Sequence, residues 1–253
     1  MRVVAIIPAR MGSSRFPGKP LADILGRTMI EHVFRRARAS ASVAETVIAT
    51  CDEEIQAVAE GFGARVVMTS PRHERASDRI AEAAQDLHAD IVVLLQGDEP
   101  MIRPEMIDMA VTPMLEDPTL ECVNLARRIV DEAEYRDPNT IKVVIDQQGN
   151  ALFMTRQPIP TLSPQGLAET PVFKQVCVIP FTRESLLNYA RLSPTPLERL
   201  ESIDMLRLIE HGHTVRMIET PYDTRAVDTP EDLTHVTELM RQAEDSVPAG
   251  GTV

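Results

Sequence analysis

The sequence predicts an α/β fold, a mostly parallel sheet flanked by helices and carrying an antiparallel insertion. Three observations lead there. Short apolar segments alternate with helical periodicity through the first hundred residues, and a hairpin rhythm replaces that alternation beyond Pro118. The core must also be aliphatic, since 43% of residues are hydrophobic, only 4% are aromatic, and Trp is absent. Val, Ile, Leu, Ala and Met in these proportions suit strands buried on both faces.

Val3 to Ile7 reads as a buried strand, followed by the loop "IIPARMGSSRFPGKP" that spans Ile6 to Pro20. Met29, Ile30, Val33, Phe34 and Ala37 then recur at helical spacing behind Thr28, a plausible cap. The unit repeats with "TVIAT" (Thr46 to Thr50) and a helix from Asp52 to about Gly61, then "RVVM" (Arg65 to Met68) and a helix from about Ser77 to Leu87. "DIVVLL" (Asp90 to Leu95) is the next strand. Apolar strands spaced by helices imply right-handed crossovers and a parallel sheet whose ligands sit at the carboxyl ends of its strands. The first loop, the segment from Ser70 to Arg79 and "QGDEP" (Gln96 to Pro100) all fall at such ends.

Beyond Pro118, "IKVVID" (Ile141 to Asp146), a turn at Gln147 to Gly149 and "ALFMT" (Ala151 to Thr155) predict an antiparallel hairpin. A Pro-rich loop from Gln157 to Pro171 precedes one strand from Val172 to Ile179. Helices are expected near Arg183 to Tyr189 and from Leu197 to His211, then a strand from Val215 to Ile218. "DTPEDL" (Asp228 to Leu233) opens the last helix, with Pro in its first turn and acids beside it. The "PAGGTV" tail is expected to be disordered. The chain reads as a single unit over residues 1–253, in which the part after 118 is a lid on the first half.

The formal net charge of −12 argues against a nucleic-acid binder, which needs clustered Lys and Arg to displace counterions. Cys51, Cys122 and Cys177 are far apart and form no C-x-x-C pair, which speaks against a zinc site or a disulfide framework. With neither a signal-peptide pattern nor an apolar run of about 18 residues, a soluble cytoplasmic protein with no membrane partner is expected.

Against that acidic background, Arg10, Arg15 and Lys19 stand together in the first loop. Gly12 and Gly18 let backbone approach an anion closely, and the three cations supply the charge that a triphosphate requires. The spacing is neither a Walker loop nor G-x-G-x-x-G. Asp98 lies just past a buried strand, where it either caps a turn or holds a cation; Mg2+ is satisfied by one or two carboxylates plus phosphate oxygens and water. Asp228 reaches the same metal if the last strand lies beside the central ones. His73 with Ser77, Asp78 and Arg79 either cradles a base or ribose or forms a charged helix start. Lys142 and Arg156 either serve an acidic substrate or are solvated. No G-x-S-x-G and no cysteine with a base beside it suggests nucleophilic catalysis. Positioning plus metal electrostatics is the chemistry of nucleotidyl transfer.

At this point "IIPARMGSSRFPGKPL", "LLQGDEPMI", "DPNTIKVVID", "TPLERLESIDMLR" and "VDTPEDL" resemble, in order and over nearly the whole chain, the 3-deoxy-manno-octulosonate (Kdo) cytidylyltransferases. The resemblance implies a Rossmann-like fold of nucleotidyltransferase type, with a nucleotide-binding half over about 1–118, an acceptor-binding and dimerisation part over about 119–220, and a returning metal-site segment over about 221–245. It implies CMP transfer from CTP to an acidic sugar with Mg2+, by a homodimer in lipopolysaccharide biosynthesis. Arg10, Arg15 and Lys19 would hold the triphosphate and, with Asp98, carry catalysis. Pro8, Ala9, Ser77, Arg79 and Gln96 would complete the CTP site, Asp98 and Asp228 would bind Mg2+, and Arg156 would meet the acceptor's carboxylate.

The chain departs from that family first in the nucleotide-binding segment expected to recognise the cytosine, and then on the acceptor side. The usual His-x-Ser-Gly-Thr-[Asp/Glu]-Arg is here His73-Glu74-Arg75-Ala76-Ser77-Asp78-Arg79. The family's His-x-Gly-x-Tyr falls on Gln175 to Ile179, and its sugar-contacting Glu-Gln pair on Asp204 and Met205. Because a site built to bond a sugar hydroxyl needs that partner, the changes at Gln175, Ile179 and Met205 point either to weaker Kdo binding or to another small anion, a modified keto-deoxy sugar acid or a phosphonate. A nucleotide-binding regulator without catalysis is the reading from another class, and the presence of both Asp98 and Asp228 speaks against it.

Overall fold

A computed structural model describes residues 1–12 and 15–245. The first half runs β1 (Val3–Ala9), a 3-10 turn (Lys19–Leu21), the small hairpin β2 (Asp23–Ile24) and β3 (Arg27–Thr28), α1 (Met29–Arg38), β4 (Glu45–Thr50), α2 (Glu53–Gly61), β5 (Arg65–Met68), α3 (Ala76–Ala84), β6 (Ile91–Leu95) and α4 (Pro104–Glu116). Then come β7 (Val123–Arg128), α5 (Glu132–Arg136), β8 (Lys142–Ile145), β9 (Ala151–Thr155), β10 (Phe173–Val176), β11 (Val178–Thr182), α6 (Arg183–Tyr189), α7 (Pro196–Glu201), α8 (Met205–Glu210), β12 (Arg216–Glu219) and α9 (Pro230–Asp245). The "PAGGTV" tail lies outside the described residues.

The first sheet has the order β11-β6-β1-β4-β5. Its β6, β1, β4 and β5 are parallel, as the alternation of strands and helices predicts, and β11 is an antiparallel edge. Strand β1 is buried at every residue because alternate side chains serve two cores. Val4 and Ile6 pack with Ile80 and Ala84 of α3, whereas Val3, Ala5 and Ile7 pack with Ile30 and Val33 of α1 and Met106 and Ala110 of α4.

The second sheet has the order β12-β7-β10-β8-β9 and is antiparallel apart from the β12–β7 pair. The predicted hairpin is β8 and β9. Strand β7 and helices α4 and α5 carry no expectation from the sequence reading. Two predicted elements are corrected. The strand expected over Val172 to Ile179 is two strands, since β10 pairs with β7 in the second sheet while β11 pairs with β6 in the first, with Cys177 alone between them. No Gly or Pro marks that change of sheet. The helix expected over Leu197 to His211 is likewise two, α7 and α8, broken where Ser202 adopts left-handed backbone (φ 57°). Apolar periodicity continues through the break and hides it. The returning strand also differs from expectation, because β12 joins the second sheet, beside β7, and pairs with no strand of the first.

Lys142 is fully buried, and its ammonium donates to the carbonyls of Asp137, Thr140 and Arg156 at 2.8, 2.6 and 2.7 Å. It ties the loop before β8 to the end of β9, a structural duty that leaves nothing for an acidic substrate. Replacing it by Met removes a donor from three carbonyls, of which only that of Asp137 keeps the Thr140 N–H, and Lys142→Met should lower unfolding free energy by about 3 kcal/mol in a urea titration.

Candidate active site

The chain runs from β1 outward through β4 and β5 and then returns to β6 on the other side of β1. The carboxyl ends of β1 and β6 therefore flank the point at which strand order reverses, where open α/β sheets bind ligands. The first loop leaves β1 there, and "QGDEP" leaves β6. The two ends are tightly apposed, for a Cβ on Gly97 would stand 3.1 Å from the Pro8 carbonyl oxygen. Gly18 has φ +74°, so the loop can turn back with its N–H on the Met11 carbonyl and start the 3-10 turn carrying Lys19.

Lys19, Asp98 and Asp228 meet in this cleft. The Lys19 ammonium lies 2.7 Å from Asp98 Oδ2 and 3.1 Å from Asp228 Oδ1. Burial works against its charge, but the two carboxylates outweigh that, Asp98 more than Asp228, and the ammonium is held above its ordinary value. Asp228 arrives by a different route from the one the sequence reading required. The strap after β12 is stitched down at Thr220 N to Ala126 O, Thr224 Oγ1 to Glu99 Oε2 and Val227 N to Asp98 O, the last at 2.8 Å. The amides of Asp228 and Thr229 then donate to Asp232 in the first turn of α9. Arg15 adds a contact of 3.1 Å to Asp228 and donates to Asn139 Oδ1 of the loop before β8. Arg10 is exposed and faces the same cleft.

The cleft has a volume of about 380 Å³ and is lined by Pro8, Ala9, Arg10, Arg15, Lys19, Gln96 and Asp98, among others. Its far wall comes from the segment before α3 and from the α7–α8 break, through His73, Glu74, Arg75, Ser202 and Asp204. Among the described residues no group of three or more His, Cys, Asp or Glu side chains could hold a metal unaided. Two carboxylates converging on one cation position do fit Mg2+, which takes few protein ligands and completes its shell from phosphate and water.

The other residues singled out by sequence divide sharply. Arg79 borders the cleft but is buried, its guanidinium bonded to Thr69 Oγ1 and reaching the Ser70 and His73 carbonyls, so it shapes the loop around it. Ser77 is fully buried, and its N–H donates to Asp204 Oδ2 at 3.1 Å. Arg156 donates to the Glu201, Pro138 and Asn139 carbonyls. Gln175 donates to the buried Asn124 at 2.6 Å, and Ile179 and Met205 belong to the core. Of the predicted acceptor residues only Asp204 lines the cleft. Sequence reasoning noted Arg75 as a departure without giving it a place in the site, and it missed Ser202. A left-handed Ser inside continuous helical periodicity leaves no sequence signal.

A buried ion network binds the two parts of the far wall together. Arg207, only 2% exposed, donates to both Asp78 oxygens at 2.8 and 3.2 Å and both Glu198 oxygens at 2.9 and 2.6 Å, and its guanidinium stacks 4.3 Å from the Tyr189 ring centroid. Burial pushes the Glu198 carboxyl up, but bonds from Arg207 and from the Thr195 N–H outweigh it and hold the group below its ordinary value of 4.5. Its stabilisation is thus complete above about pH 4.5 and is lost as pH falls below that through the depressed folded value. Arg207→Met should cost about 3 kcal/mol or more by stranding the buried Glu198 carboxylate beside the half-buried Asp78. In acid titrations of folding, Glu198→Gln should flatten the loss of stability below pH 4.5.

The chain has relatives among known proteins over nearly its whole length. The sequence profile of a family described as cytidylyltransferase matches residues 4–218. A 3-deoxy-manno-octulosonate cytidylyltransferase of Geobacter metallireducens is 41% identical over 247 residues, covering 94% of this chain and 97% of that protein. One from Solibacter usitatus is 44% identical over 240 residues, covering 95% of each. Among solved structures, a CMP:2-keto-3-deoxy-manno-octonic acid synthetase complexed with CTP is 40% identical and superposes with a TM-score of 0.89, covering 96% of this chain and 100% of that one. The match spans both sheets and both sides of the cleft, and the chain belongs to the cytidylyltransferase family.

Proposed function

We propose that this enzyme transfers CMP from CTP to 3-deoxy-manno-octulosonate, releasing pyrophosphate. The observation that carries the reading is the meeting of Lys19, Asp98 and Asp228 at the switch point of the sheet. The relatives' names supply the acceptor. Arg10, Arg15 and Lys19 bind the triphosphate, with Pro8, Ala9 and Gln96 beside the nucleotide. The acceptor's anomeric hydroxyl attacks the α-phosphorus in line; an O–P bond forms, the bond to the β-phosphate oxygen breaks, and the hydroxyl proton passes to solvent. Asp98 and Asp228 are the residues that would hold Mg2+, which supplies charge neutralisation for the phosphates and the leaving pyrophosphate. Lys19 is placed to exchange its carboxylates for phosphate oxygens. Holding two anions in register offsets their mutual repulsion and accounts for most of the chemistry asked of such a site.

A second reading keeps the transfer and replaces the acceptor by a related small anion. It is favoured by the aliphatic Ile179 and Met205, which stand where the resembled family bonds sugar hydroxyls and are buried here. The proposal also includes Mg2+ as the metal, one nucleotidyltransferase unit, a homodimer and a cytoplasmic site of action. Among the described residues no helix is long and apolar enough to cross a membrane.

The test is a panel of acidic acceptors with CTP and Mg2+, scored by pyrophosphate release. Turnover with 3-deoxy-manno-octulosonate is expected, turnover only with another acid would support the second reading, and tight CTP binding without turnover on any acceptor would support a regulator. Asp98→Asn should lower kcat by about 100-fold or more while the fold is retained. Full activity in that variant would sink the metal assignment.

A further inference from the structure

The polar groups on the wall of the cleft opposite Arg10, Arg15 and Lys19 are not those expected from sequence to meet the acceptor. Ile179 and Met205 are in the core, Gln175 is spent on Asn124, and the Arg156 guanidinium is spent on backbone carbonyls. His73 is paired with Glu82. Recognition of a polar acceptor therefore falls to the side chains that line the wall.

Arg75 is foremost among them. It immediately precedes α3, with extended backbone, and its side chain crosses to the α7–α8 break. There it donates to Ser202 Oγ at 2.7 Å and to the Glu198 carbonyl at 3.3 Å. Its guanidinium stands 3.9 Å from Asp204 Oδ1 and 3.8 Å from Glu198 Oε1. These anchors use some of the five N–H donors of a rigid fork and leave others for a ligand. The fork is fixed at one edge and faces the cleft, with 21% of the side chain exposed.

The neighbouring Asp204 balances the charge, so this wall offers a donor beside an acceptor where the opposite wall offers net positive charge. A donor–acceptor pair suits hydroxyl groups, whereas a free cation would suit a second anion. We propose that Arg75 is a specificity-determining residue that, with Asp204 beside it, bonds the hydroxyl-bearing tail of the acceptor, the end remote from the attacking hydroxyl. This inference rests on the acceptor being a polyhydroxylated sugar acid, as the proposed function holds.

The test uses the full chain and steady-state kinetics with CTP, Mg2+ and two acceptors: 3-deoxy-manno-octulosonate and an analogue of it lacking the terminal hydroxyls. Wild-type turnover on the first acceptor checks the underlying reading independently. Arg75→Ser should raise the KM for that acceptor about tenfold or more, leave the KM for CTP within about twofold, and erase the preference for the full-length tail. Arg75→Lys, which keeps the charge but not the fork, should recover part of the loss. Thermal unfolding of each variant separates folding defects from recognition. An effect on the KM for CTP alone, or a tail preference that survives in a folded Arg75→Ser, would overturn the proposal.

Discussion

The Lys19 ammonium held between Asp98 and Asp228 is the constraint on which the rest of the site depends. These carboxylates come from opposite halves of the chain and repel each other, in a protein that already carries a net charge of −12. One nearly buried cation bridges both, with Arg15 adding a second contact to Asp228. It does so only because three separate routes end at one place: a left-handed glycine turns the first loop back, a glycine without a side chain lets β6 end against β1, and a backbone bond from Val227 to Asp98 brings in the strap. The same charges that settle this arrangement without ligand are the ones a triphosphate and a divalent cation would divide between them.

Much of this was legible in the sequence. The alternation of apolar strands and helical periodicity predicts β1, β4, β5 and β6 as parallel neighbours, and the end-of-strand positions of Lys19 and Asp98 then follow from how such sheets bind ligands. Asp228 was legible through its helix-start chemistry, although its route to the site was not. A strap is placed by bonds such as Thr224 to Glu99, and these depend on tertiary contacts that no local pattern encodes.

The acceptor side was far less legible, for a physical reason. Position in a motif says which residue types stand where, while orientation depends on strand register and helix breaks. Ile179 and Met205 align with hydrogen-bonding residues of the resembled family, yet pack inward here; Arg75 aligns with a small residue and reaches across the cleft. The left-handed Ser202 that receives it sits within a segment whose apolar spacing reads as uninterrupted helix.

The single residue between β10 and β11 has a mechanical consequence. Val176 is bonded into the second sheet and Val178 into the first, and the Cys122–Phe181 bridge joins the sheets again at the far end of β11. A hinge needs slack, and one residue between two laddered strands provides almost none. Any tightening of the enzyme around its substrates is therefore the work of side chains and loops at the rim, with the two sheets serving as one stiff frame against which those parts move.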